Sequence, residues 1–543
     1  MCAAVSASRK GVNVALIERR DCLGGKVSSE VKFPFDSRVN PNFFFQRESG
    51  LLDELLSETL SENVEGTYAG QARAFRKWVT REKRIRLFLK TQAYETEMNE
   101  GGDKIISLQA ISHLEERRYF FFARFFVDCS GIGALVQFSG APGERGEDLS
   151  ALESETHSIS RVRKIQGLVC MRVGKSNRKV PYSCPDWIRI KWEDNSLAAR
   201  LEWIKSLNDS LLGDHLLEWS APAAESPKEG EEIAWAAWDY LKNRSPMKDA
   251  ASNLIVEDVS SGFIRSDVLR GRGDYELQPE DLINGVRFPD SIAVGRSFLD
   301  GGDSLLSSDA GKICLPSPFE IPLRCLYSRK VKNLFWAGEH ASCSSRLCSS
   351  LRHPPTAAQM GVAAGFCAAT CVEKRRLPRT MAKFGYVDQI RRELSRLNHA
   401  VSVQTIEDLE NLCQDAAMTA SSCLSTWNLH GMNRPLRNVI SNSFIVQFPA
   451  CETRIEKVGI MLEFECSCKV DFRLLLGSGH FCSFPGNCIY STTISISQSS
   501  KGWFEINPNC EIRRKGWVYL EISSSAAFSI PLQPNSPPGI LLS

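Results

Sequence analysis

The sequence has almost no net charge and no apolar run long enough to cross a membrane. Its 66 basic and 64 acidic residues leave a formal charge of +2 at pH 7, which gives no electrostatic basis for binding nucleic acid or an acidic membrane surface. The most apolar stretch, RYFFFARFFVDCSG, is broken by Arg124 and falls short of the ~18–20 residues of a membrane span. We therefore expect neither nucleic acid nor a membrane as a partner.

Signals of metal, disulfide and hydrolase chemistry are also missing. The 19 cysteines are scattered singly, and their closest groupings, CSSRLC, CAATC and CSC, lack the CxxC spacing of a zinc site. No clustered histidines complete such a site, and no GxSxG turn indicates a serine hydrolase. Free buried thiols are expected in a reducing compartment and no signal peptide is visible, so the pattern favours a cytoplasmic protein.

What the sequence does have is a long chain whose pattern changes along its length. With 543 residues, 43% hydrophobic and 24% charged, it is predicted to form several globular domains. Strand and helix patterns alternate at first, polar loops and helices follow, and short alternating strands begin near residue 430. The predicted parts are 1–150, an inserted region at 151–310, a return to the first domain at 311–372, a helical linker at 373–428 and a β-sandwich at 429–543.

The opening residues, MCAAVSASRKGVNVALIERRDCLGG, predict a short helix at 3–9 and a buried strand that ends at Glu18. In a dinucleotide-binding βαβ unit these are the crossover helix and the second strand, and the acid binds the adenosine ribose. The first strand and its Gly-rich turn belong before them, and Met1 stands about where the last glycine of that turn is expected. The pattern predicts a chain that lacks its first strand and binds its nucleotide poorly.

Three strand–turn segments strengthen the nucleotide hypothesis. They are LIERRDCLGGKVSSE, FVDCSGIG and KNLFWAGEHA, and each places glycine soon after an apolar strand. Glycine lets the backbone approach a cofactor closely. An ordinary turn is the alternative for each glycine taken alone, but here the segments occur together and in one order.

In that order, together with IPLRCLYSR and MGVAAG, the chain resembles the FAD-dependent oxidoreductases of the glutathione-reductase-type flavoprotein fold. It is most similar to the branch with LGGN-SSE and IPYRCLYSRN motifs, and the likeness covers about residues 1–425. The resemblance implies an α/β fold, with a Rossmann-like FAD-binding domain, an inserted α+β substrate domain and a C-terminal all-β sandwich. It also implies transfer of hydride to FAD from a small-molecule substrate, for which a sugar or sugar derivative is one candidate.

The resemblance places the site residues at matching positions of this sequence. Those expected along FAD are Glu18, Arg19, Gly24, Gly25, Ser28, Ala93, Ser130, Gly131, Gly338, Glu339 and Gly361. For catalysis, His340 is a candidate base because imidazole titrates near neutral pH, and Arg324 is a candidate for orienting an anionic or polyol substrate. The alternatives are a surface or satisfied histidine on a loop and an arginine that ties its strand to a neighbour.

The chain also departs from the family pattern. Ile132 stands where the family's TGDG turn has an acid, and GEHASCSSRLC replaces a segment that begins with GRN. These departures leave a second hypothesis open, a truncated or degenerate relative that binds FAD weakly or not at all. A third hypothesis is a carbohydrate-binding protein in which Trp503 and Trp517 of the C-terminal sandwich stack on sugar rings, with core packing as the alternative for both.

Overall fold

The computed structural model describes two compact units, Met1–Leu207 with Asp214–Ile406, and Asn208–Gly213 with Glu407–Ser543. The described residues are 1–32, 49–63, 67–145, 166–189, 215–222, 227–245, 248–249, 251–260, 264–265, 268–296, 299–300, 312–313, 318–383, 385–403, 436–440, 443–450, 454–477, 485–512 and 516–532. The helices predicted between 404 and 418 lie outside them, as does the segment 33–48.

Some helices of the first unit begin or end where the sequence supplies a cap or a proline. Those in the described ranges are α1 (Cys2–Arg9), α2 (Leu51–Glu62), α3 (Tyr68–Thr80), α4 (Ala134–Phe138), α5 (Pro227–Asp239), α6 (Pro279–Ile283), α7 (Cys348–Leu351), α8 (Pro354–Lys374), α9 (Pro378–Met381) and α10 (Tyr386–Arg396). Helix α3 follows Thr67, whose hydroxyl accepts the Gly70 N–H over 3.0 Å. Helix α8 begins with proline in its first turn and ends at Arg375 in the left-handed conformation.

The strands of the first unit form several small sheets. They are β1 (Val14–Ile17), β2 (Ile85–Phe88), β3 (Thr91–Met98), β4 (Ile105–Ser112), β5 (Arg117–Phe122), β6 (Phe126–Asp128), β7 (Gly143–Arg145), β8 (Gln166–Lys175), β9 (His215–Pro222), β10 (Leu254–Val259), β11 (Ile264–Arg265), β12 (Leu269–Gly271), β13 (Ser291–Gly295), β14 (Leu299–Asp300), β15 (Lys312–Ile313), β16 (Phe319–Pro322) and β17 (Leu334–Trp336). Together with the helices they give the mixed helix and strand content that the sequence predicts.

Two pairs of parallel strands carry the turns of interest. Strand β1 pairs in parallel with β2, and β17 pairs in parallel with β6. Parallel pairing brings the carboxyl ends of both strands to the same edge. The glycine turns that follow β1, β6 and β17 therefore lie at carboxyl ends of parallel strands, where α/β sheets usually bind their ligands.

Apolar and polar residues alternate in RIRLFLKTQAYETEM and KIISLQAISHLEERRYFFFARFFVDCSG, which predicts one β-meander whose last strand ends at Asp128. The meander in the structure is shorter. Strands β3, β4 and β5 form an antiparallel sheet, but β2 and β6, which were predicted as parts of it, pair with β1 and β17 instead. The chain turns after β2 at Lys90, whose φ is 49° and whose N–H donates to the Arg20 carbonyl over 3.0 Å. That turn separates β2 from the meander, and alternation of apolar residues alone does not reveal it.

Helices α1 and α8 cross closely. The Ser6 hydroxyl donates to the Val362 carbonyl over 2.9 Å, and a Cβ on Gly365 would lie 2.7 Å from the carbonyl carbon of Ala3. Small residues at the crossing let the two backbones approach. The sequence-based statement that no apolar run reaches the length of a membrane span is wrong for α8, which by length and composition is apolar enough to span one. However, 83% of its apolar window is buried inside the protein, as in the core helix of a globular protein.

The region predicted as a helical linker begins as part of the first unit. Met381 of α9 and Ile390 and Leu394 of α10 are buried in the same apolar core as α8. The two helices therefore pack as core elements up to residue 403, where the described part of this region ends.

Residues 166–265 contain an antiparallel sheet with a helix beside it. Strand β8 pairs with β9, β10 and β11, and the core of this part includes Met171, Trp238 and Leu241. One turn of π-helix, Tyr240–Arg244, extends α5. Its Lys242 is buried, and the ammonium donates to the carbonyls of Ala251, Ser252 and Leu254 over 2.9–3.1 Å.

The second unit consists of antiparallel strands. They are β18 (Leu436–Ile440), β19 (Ser443–Ala450), β20 (Arg454–Ile455), β21 (Val458–Phe464), β22 (Cys468–Gly477), β23 (Pro485–Ile496), β24 (Ser500–Ile506), β25 (Cys510–Glu511), β26 (Gly516–Ser524) and β27 (Phe528–Leu532). One four-stranded sheet has the order β18-β27-β21-β24 and the other β19-β26-β22-β23. Phe464 and Phe528 of the first sheet share one apolar core with Phe472 and Leu520 of the second.

Candidate functional site

Glu18 continues the ladder one residue beyond β1. Its N–H donates to the Phe88 carbonyl over 2.8 Å, and its own carbonyl accepts the Thr91 N–H over 3.0 Å. Its carboxylate accepts the Arg20 N–H over 2.9 Å, and the side chain is half-buried, whereas Arg19 is exposed. The acid thus stands at the carboxyl end of β1, the position that the sequence predicts for a ribose ligand.

The turn after β1 depends on two glycines with positive φ, 115° at Gly24 and 58° at Gly25. A Cβ on Gly24 would lie 2.9 Å from the ring of Phe75, whereas a Cβ on Gly25 would meet nothing within 4 Å. Gly24 is therefore required for packing, and Gly25 leaves open space where a ligand can approach the backbone. Ser28 is buried, and its hydroxyl accepts the Val31 N–H over 3.4 Å.

The turn after β6 is organised by Asp128. Its carboxylate accepts the N–H groups of Ser130 over 3.0 Å and of Leu135 over 2.8 Å. The Ser130 hydroxyl accepts the Ala134 N–H over 2.9 Å at the start of α4. Residues 129–132 are exposed, and a Cβ on Gly131 would meet nothing within 4 Å. The turn is thus held by hydrogen bonds and is open to solvent.

His340 joins this turn to the one after β17. Its Nε2 accepts the N–H groups of Gly131 over 3.0 Å and Gly133 over 3.3 Å, and its Nδ1–H donates to the Leu269 carbonyl over 2.8 Å. The side chain is 1% exposed. Both ring nitrogens are thus engaged by backbone groups of other segments, which matches the alternative of a satisfied histidine. The base role stays a prediction without a supporting contact.

An ion pair joins the turns after β1 and β17. Lys26 Nζ lies 2.6 Å from a carboxylate oxygen of Glu339, with the two side chains 22% and 9% exposed. Burial lowers the pKa of the Lys26 ammonium, and the negative charge of Glu339 opposes that shift. Glu339 follows Gly338, whose φ is 71°, so the left-handed turn brings the carboxylate to Lys26.

Arg324 is held by a buried acid. Its Nε and Nη2 each lie 3.0 Å from an oxygen of Asp290, whose side chain is 3% exposed. Its guanidinium also stacks 5.2 Å from the ring centre of Tyr275. This fork-to-fork pair ties two segments of the chain together, as the alternative proposed, and the substrate-orienting role stays a prediction.

Two predicted cofactor residues have structural contacts. Ala93 lies in β3 opposite Ala110 of β4, and its half-buried side chain packs against the apolar core beneath the meander. Gly361 lies in α8, where a Cβ would be 3.5 Å from the Ala3 nitrogen and 3.6 Å from the Cys2 Cβ. Gly361 therefore lines the crossing with α1. For both residues the contact with FAD stays a prediction.

Several polar atoms near these turns are buried without a hydrogen-bond partner in the described part of the chain. They are Ser342 Oγ, Arg270 Nε and Gln359 Oε1. Such an atom costs about 1–3 kcal/mol, so in a native protein it calls for a ligand or water. These atoms and the open glycine turns fit a ligand rich in hydroxyl, carbonyl and phosphate groups, such as the FAD that the resemblance implies.

Sequence reasoning missed Lys26, Arg270 and Asp290 as organising residues. Lys26 had a usable signal, since it stands between the two glycines and the serines of LGGKVSSE. Arg270 and Asp290 had none, because their partners Cys348 and Arg324 lie 78 and 34 residues away.

An acid-terminated strand and three glycine turns at parallel strand ends are the arrangement of a nucleotide-binding α/β protein. A family model described as FAD dependent oxidoreductase matches residues 1–394, and the chain therefore belongs to the FAD-dependent oxidoreductase family. It is an oxidoreductase with FAD as its cofactor. No curated protein matches the chain at a significant level.

The solved structures to which this chain is similar are distant. The p-nitrophenol 4-monooxygenase PnpA from Pseudomonas putida is 7% identical, with a TM-score of 0.38 over 74% of this chain and 84% of that one. L-Proline dehydrogenase from P. horikoshii is 10% identical, with a TM-score of 0.31 over 73% of this chain and 94% of that one. Glycerol-3-phosphate dehydrogenase from Bacillus halodurans, complexed with FAD, is 10% identical, with a TM-score of 0.21 over 47% and 65%. Their substrates carry no conclusion for this chain.

Proposed function

We propose that this enzyme accepts hydride from a small-molecule substrate, and that its first unit is a Rossmann-like FAD-binding domain of the glutathione-reductase-type branch with an inserted substrate domain. One observation carries the proposal: the three glycine turns are tied together, by His340 and by the Lys26–Glu339 ion pair. FAD supplies the redox chemistry when bound, and the protein supplies position and electrostatics.

The proposed roles follow from where the side chains lie. Glu18 would accept hydrogen bonds from the adenosine ribose at the end of β1. Gly25 and Gly131, where a side chain would meet open space, would let the cofactor approach the backbone. His340 would act as a positioning residue, since its contacts hold the turn after β6 against the turn after β17.

The first test is the flavin content of the purified full chain. As for a member of an FAD-dependent family, we expect absorbance near ~450 nm and release of FAD on denaturation. The poor nucleotide binding predicted from the sequence would instead give well under one FAD per chain. Glu18→Ala should weaken FAD binding about 10-fold or more, which corresponds to loss of one or two hydrogen bonds. Glu95→Ala, on an exposed position of β3, is the matched control and should bind like the parent.

A colourless chain to which added FAD does not bind would contradict the proposal and support the hypothesis of a degenerate relative. Equal FAD affinity in Glu18→Ala and the parent would contradict the ribose role alone. The two results are distinguishable because the first concerns the parent chain and the second only the variant.

A second function, carbohydrate binding by the C-terminal β-sandwich, is favoured by one residue. Trp503 of β24 is 62% exposed, opposite Met461 of β21. Ion pairs flank it, with Lys501 Nζ 3.5 Å from Glu463 on the same two strands and Lys457 Nζ, just before β21, 2.6 Å from Glu505. An exposed indole beside charged hydrogen-bonding groups is suited to stacking on a sugar ring.

This second proposal is tested by depletion on insoluble polysaccharides and by a glycan array. Trp503→Ala should abolish retention by any glycan that binds the parent. Trp187→Ala, which removes a tryptophan that is 47% exposed in the first unit, should leave retention unchanged. No retention of the parent on any glycan would reject the proposal. Trp517 lies in β26 opposite Pro449, and its predicted stacking on a sugar ring stays a prediction.

A further inference from the structure

The surface from the end of α8 to the end of α10 carries many exposed cations and few acids. Residues 375–397 contain two acidic residues, Asp388 and Glu393, and both are half-buried. The exposed basic residues of the same range are Arg375, Arg376, Arg379, Lys383, Arg392 and Arg396. We propose that this surface, the basic patch, binds the anionic headgroups of a lipid bilayer.

The two acids are engaged elsewhere and leave most of these cations without a counter-charge. Asp388 accepts the Gly385 N–H over 3.3 Å at the start of α10 and lies 3.9 Å from Arg391. Glu393 pairs with Lys10, which follows α1, over 2.5 Å. Of the exposed cations, Arg379 pairs with Asp274. Within the described part of the chain, no ion pair is formed by Arg375, Arg376, Lys383 or Arg392.

Exposed apolar side chains lie among the cations. Leu377 is 45% exposed, Tyr386 36% and Leu397 56%, and the two leucines directly follow Arg376 and Arg396. At a bilayer surface an apolar side chain can enter the acyl boundary while a neighbouring cation stays among the headgroups. Nucleic acid is bound through its phosphates and needs no exposed leucine. The combination therefore favours a lipid surface as the partner.

The exposed leucines are not part of the packed face of these helices. The core face of α9 and α10 is formed by Met381, Ile390 and Leu394, which are all buried. Leu377 precedes α9 and Leu397 follows α10, so both lie at helix ends. Their apolar surface is thus available to a partner without any change in the packing of the helices.

The proposal departs from the sequence-based expectation of no membrane partner. That expectation depended on the formal charge of +2 for the whole chain, and a sum does not record where the charges lie. A charged membrane acts on the local charge, because its potential falls off within a Debye length of about 8–10 Å. A local excess of cations can therefore bind although the total charge is small. Neither the basic patch nor this proposal depends on FAD binding.

The test is co-sedimentation of the purified full chain with lipid vesicles. One set contains phosphatidylcholine alone, and the other also contains phosphatidylserine at roughly one part in four. We expect binding to the second set and none to the first. Raising NaCl from ~0.1 to ~0.5 M should release the protein, because salt screens exposed charges. This comparison needs no variant, so misfolding of a variant cannot obscure it.

A variant with four substitutions then locates the binding surface. Each cation near an anionic bilayer strengthens binding about fivefold, so the combined loss should be ~100-fold or more. The substitutions are Arg375→Gln, Arg376→Gln, Lys383→Gln and Arg392→Gln. The matched control removes the same total charge at exposed positions elsewhere in the first unit and should bind like the parent, with Arg73→Gln, Arg76→Gln, Lys83→Gln and Lys104→Gln.

The apolar contribution is tested separately. Leu377→Gln combined with Leu397→Gln should weaken binding about tenfold and leave its salt dependence unchanged. Leu60→Gln combined with Leu114→Gln, at positions that are 71% and 69% exposed, is the control and should bind like the parent. Equal binding of both pairs would contradict the apolar part of the proposal.

Three results would overturn the proposal as a whole. The first is equal binding of the parent to the two sets of vesicles. The second is an equal loss of binding in the fourfold variant and its charge-matched control, since total charge would then be responsible and not the basic patch. The third is retention of the parent on single-stranded RNA without binding to anionic vesicles, which would make nucleic acid the partner.

Discussion

The crossing of α1 and α8 allows a direct comparison of two glycine-to-alanine substitutions. Gly361 and Gly365 lie four residues apart in α8, and both face α1, but at different distances from it. A Cβ on Gly365 would lie 2.7 Å from the Ala3 carbonyl carbon and 2.8 Å from its Cα, so the α1 backbone must move. A Cβ on Gly361 would lie 3.5 Å from the nearest atom, an ordinary van der Waals contact. Neither glycine has positive φ, so the backbone conformation at both positions is compatible with alanine.

The two alanine variants should therefore change stability in opposite directions. Alanine in place of glycine inside a helix stabilises by about 0.8–1 kcal/mol. At position 361 that gain stands alone, so Gly361→Ala should be as stable as the parent or about 1 kcal/mol more stable. At position 365 an added clash of about 1–3 kcal/mol opposes it, so Gly365→Ala should be destabilised and α1 displaced.

Thermal melts would give the sign of each change, and hydrogen exchange by mass spectrometry would localise it. We expect faster exchange of the α1 amides, residues 2–9, in Gly365→Ala and unchanged exchange in Gly361→Ala. Equal stability and equal α1 exchange in the two variants would refute the close crossing. If Gly361→Ala is stable but binds FAD more weakly than the parent, Gly361 contacts the cofactor, as the sequence predicts.

Three further predictions concern buried polar groups. Burial lowers the pKa of His399 to about 4, so as the pH falls this histidine takes up its proton in the unfolded chain before it does so in the folded chain. The free energy of unfolding should therefore decrease between pH ~6.5 and 4, by up to about 3 kcal/mol. In urea titrations the decrease should be smaller for His399→Asn, whereas the variant His113→Asn, at an exposed position, should behave like the parent. Lys242→Met leaves three backbone carbonyls without their hydrogen-bond donor and should lower the thermal denaturation midpoint by several °C. An unchanged midpoint would contradict this role of the lysine. Arg324→Met, which leaves the Asp290 carboxylate buried without its cationic partner, should destabilise the fold by about 3–5 kcal/mol. A raised KM at unchanged stability would show a substrate role instead.

The sequence alone determined the local pattern of this protein. The helix at the start, the strand at the beginning of FVDCSGIG, the strand before GEHA and the helix rich in small residues all occur as predicted. The strand before Glu18 also occurs, but it was predicted as buried and is only half-buried, with Ala15 exposed. Each depends on side-chain periodicity, or on glycine where the chain adopts positive φ, as at Gly24, Gly131 and Gly338. Such signals lie within a few residues of one another, so they can be detected in one sequence.

Only the tertiary structure decided which of those elements contact each other. His340 contacts Gly131 from 209 residues away, Lys26 meets Glu339 from 313 residues away, and Arg270 reaches Cys348 across 78 residues. The partner of β2 was likewise decided by a turn at Lys90. No local period encodes these pairings, because each depends on which buried polar group finds a partner when the chain packs. Whether a histidine, a lysine or a cysteine serves chemistry or structure is therefore decided only in the folded protein.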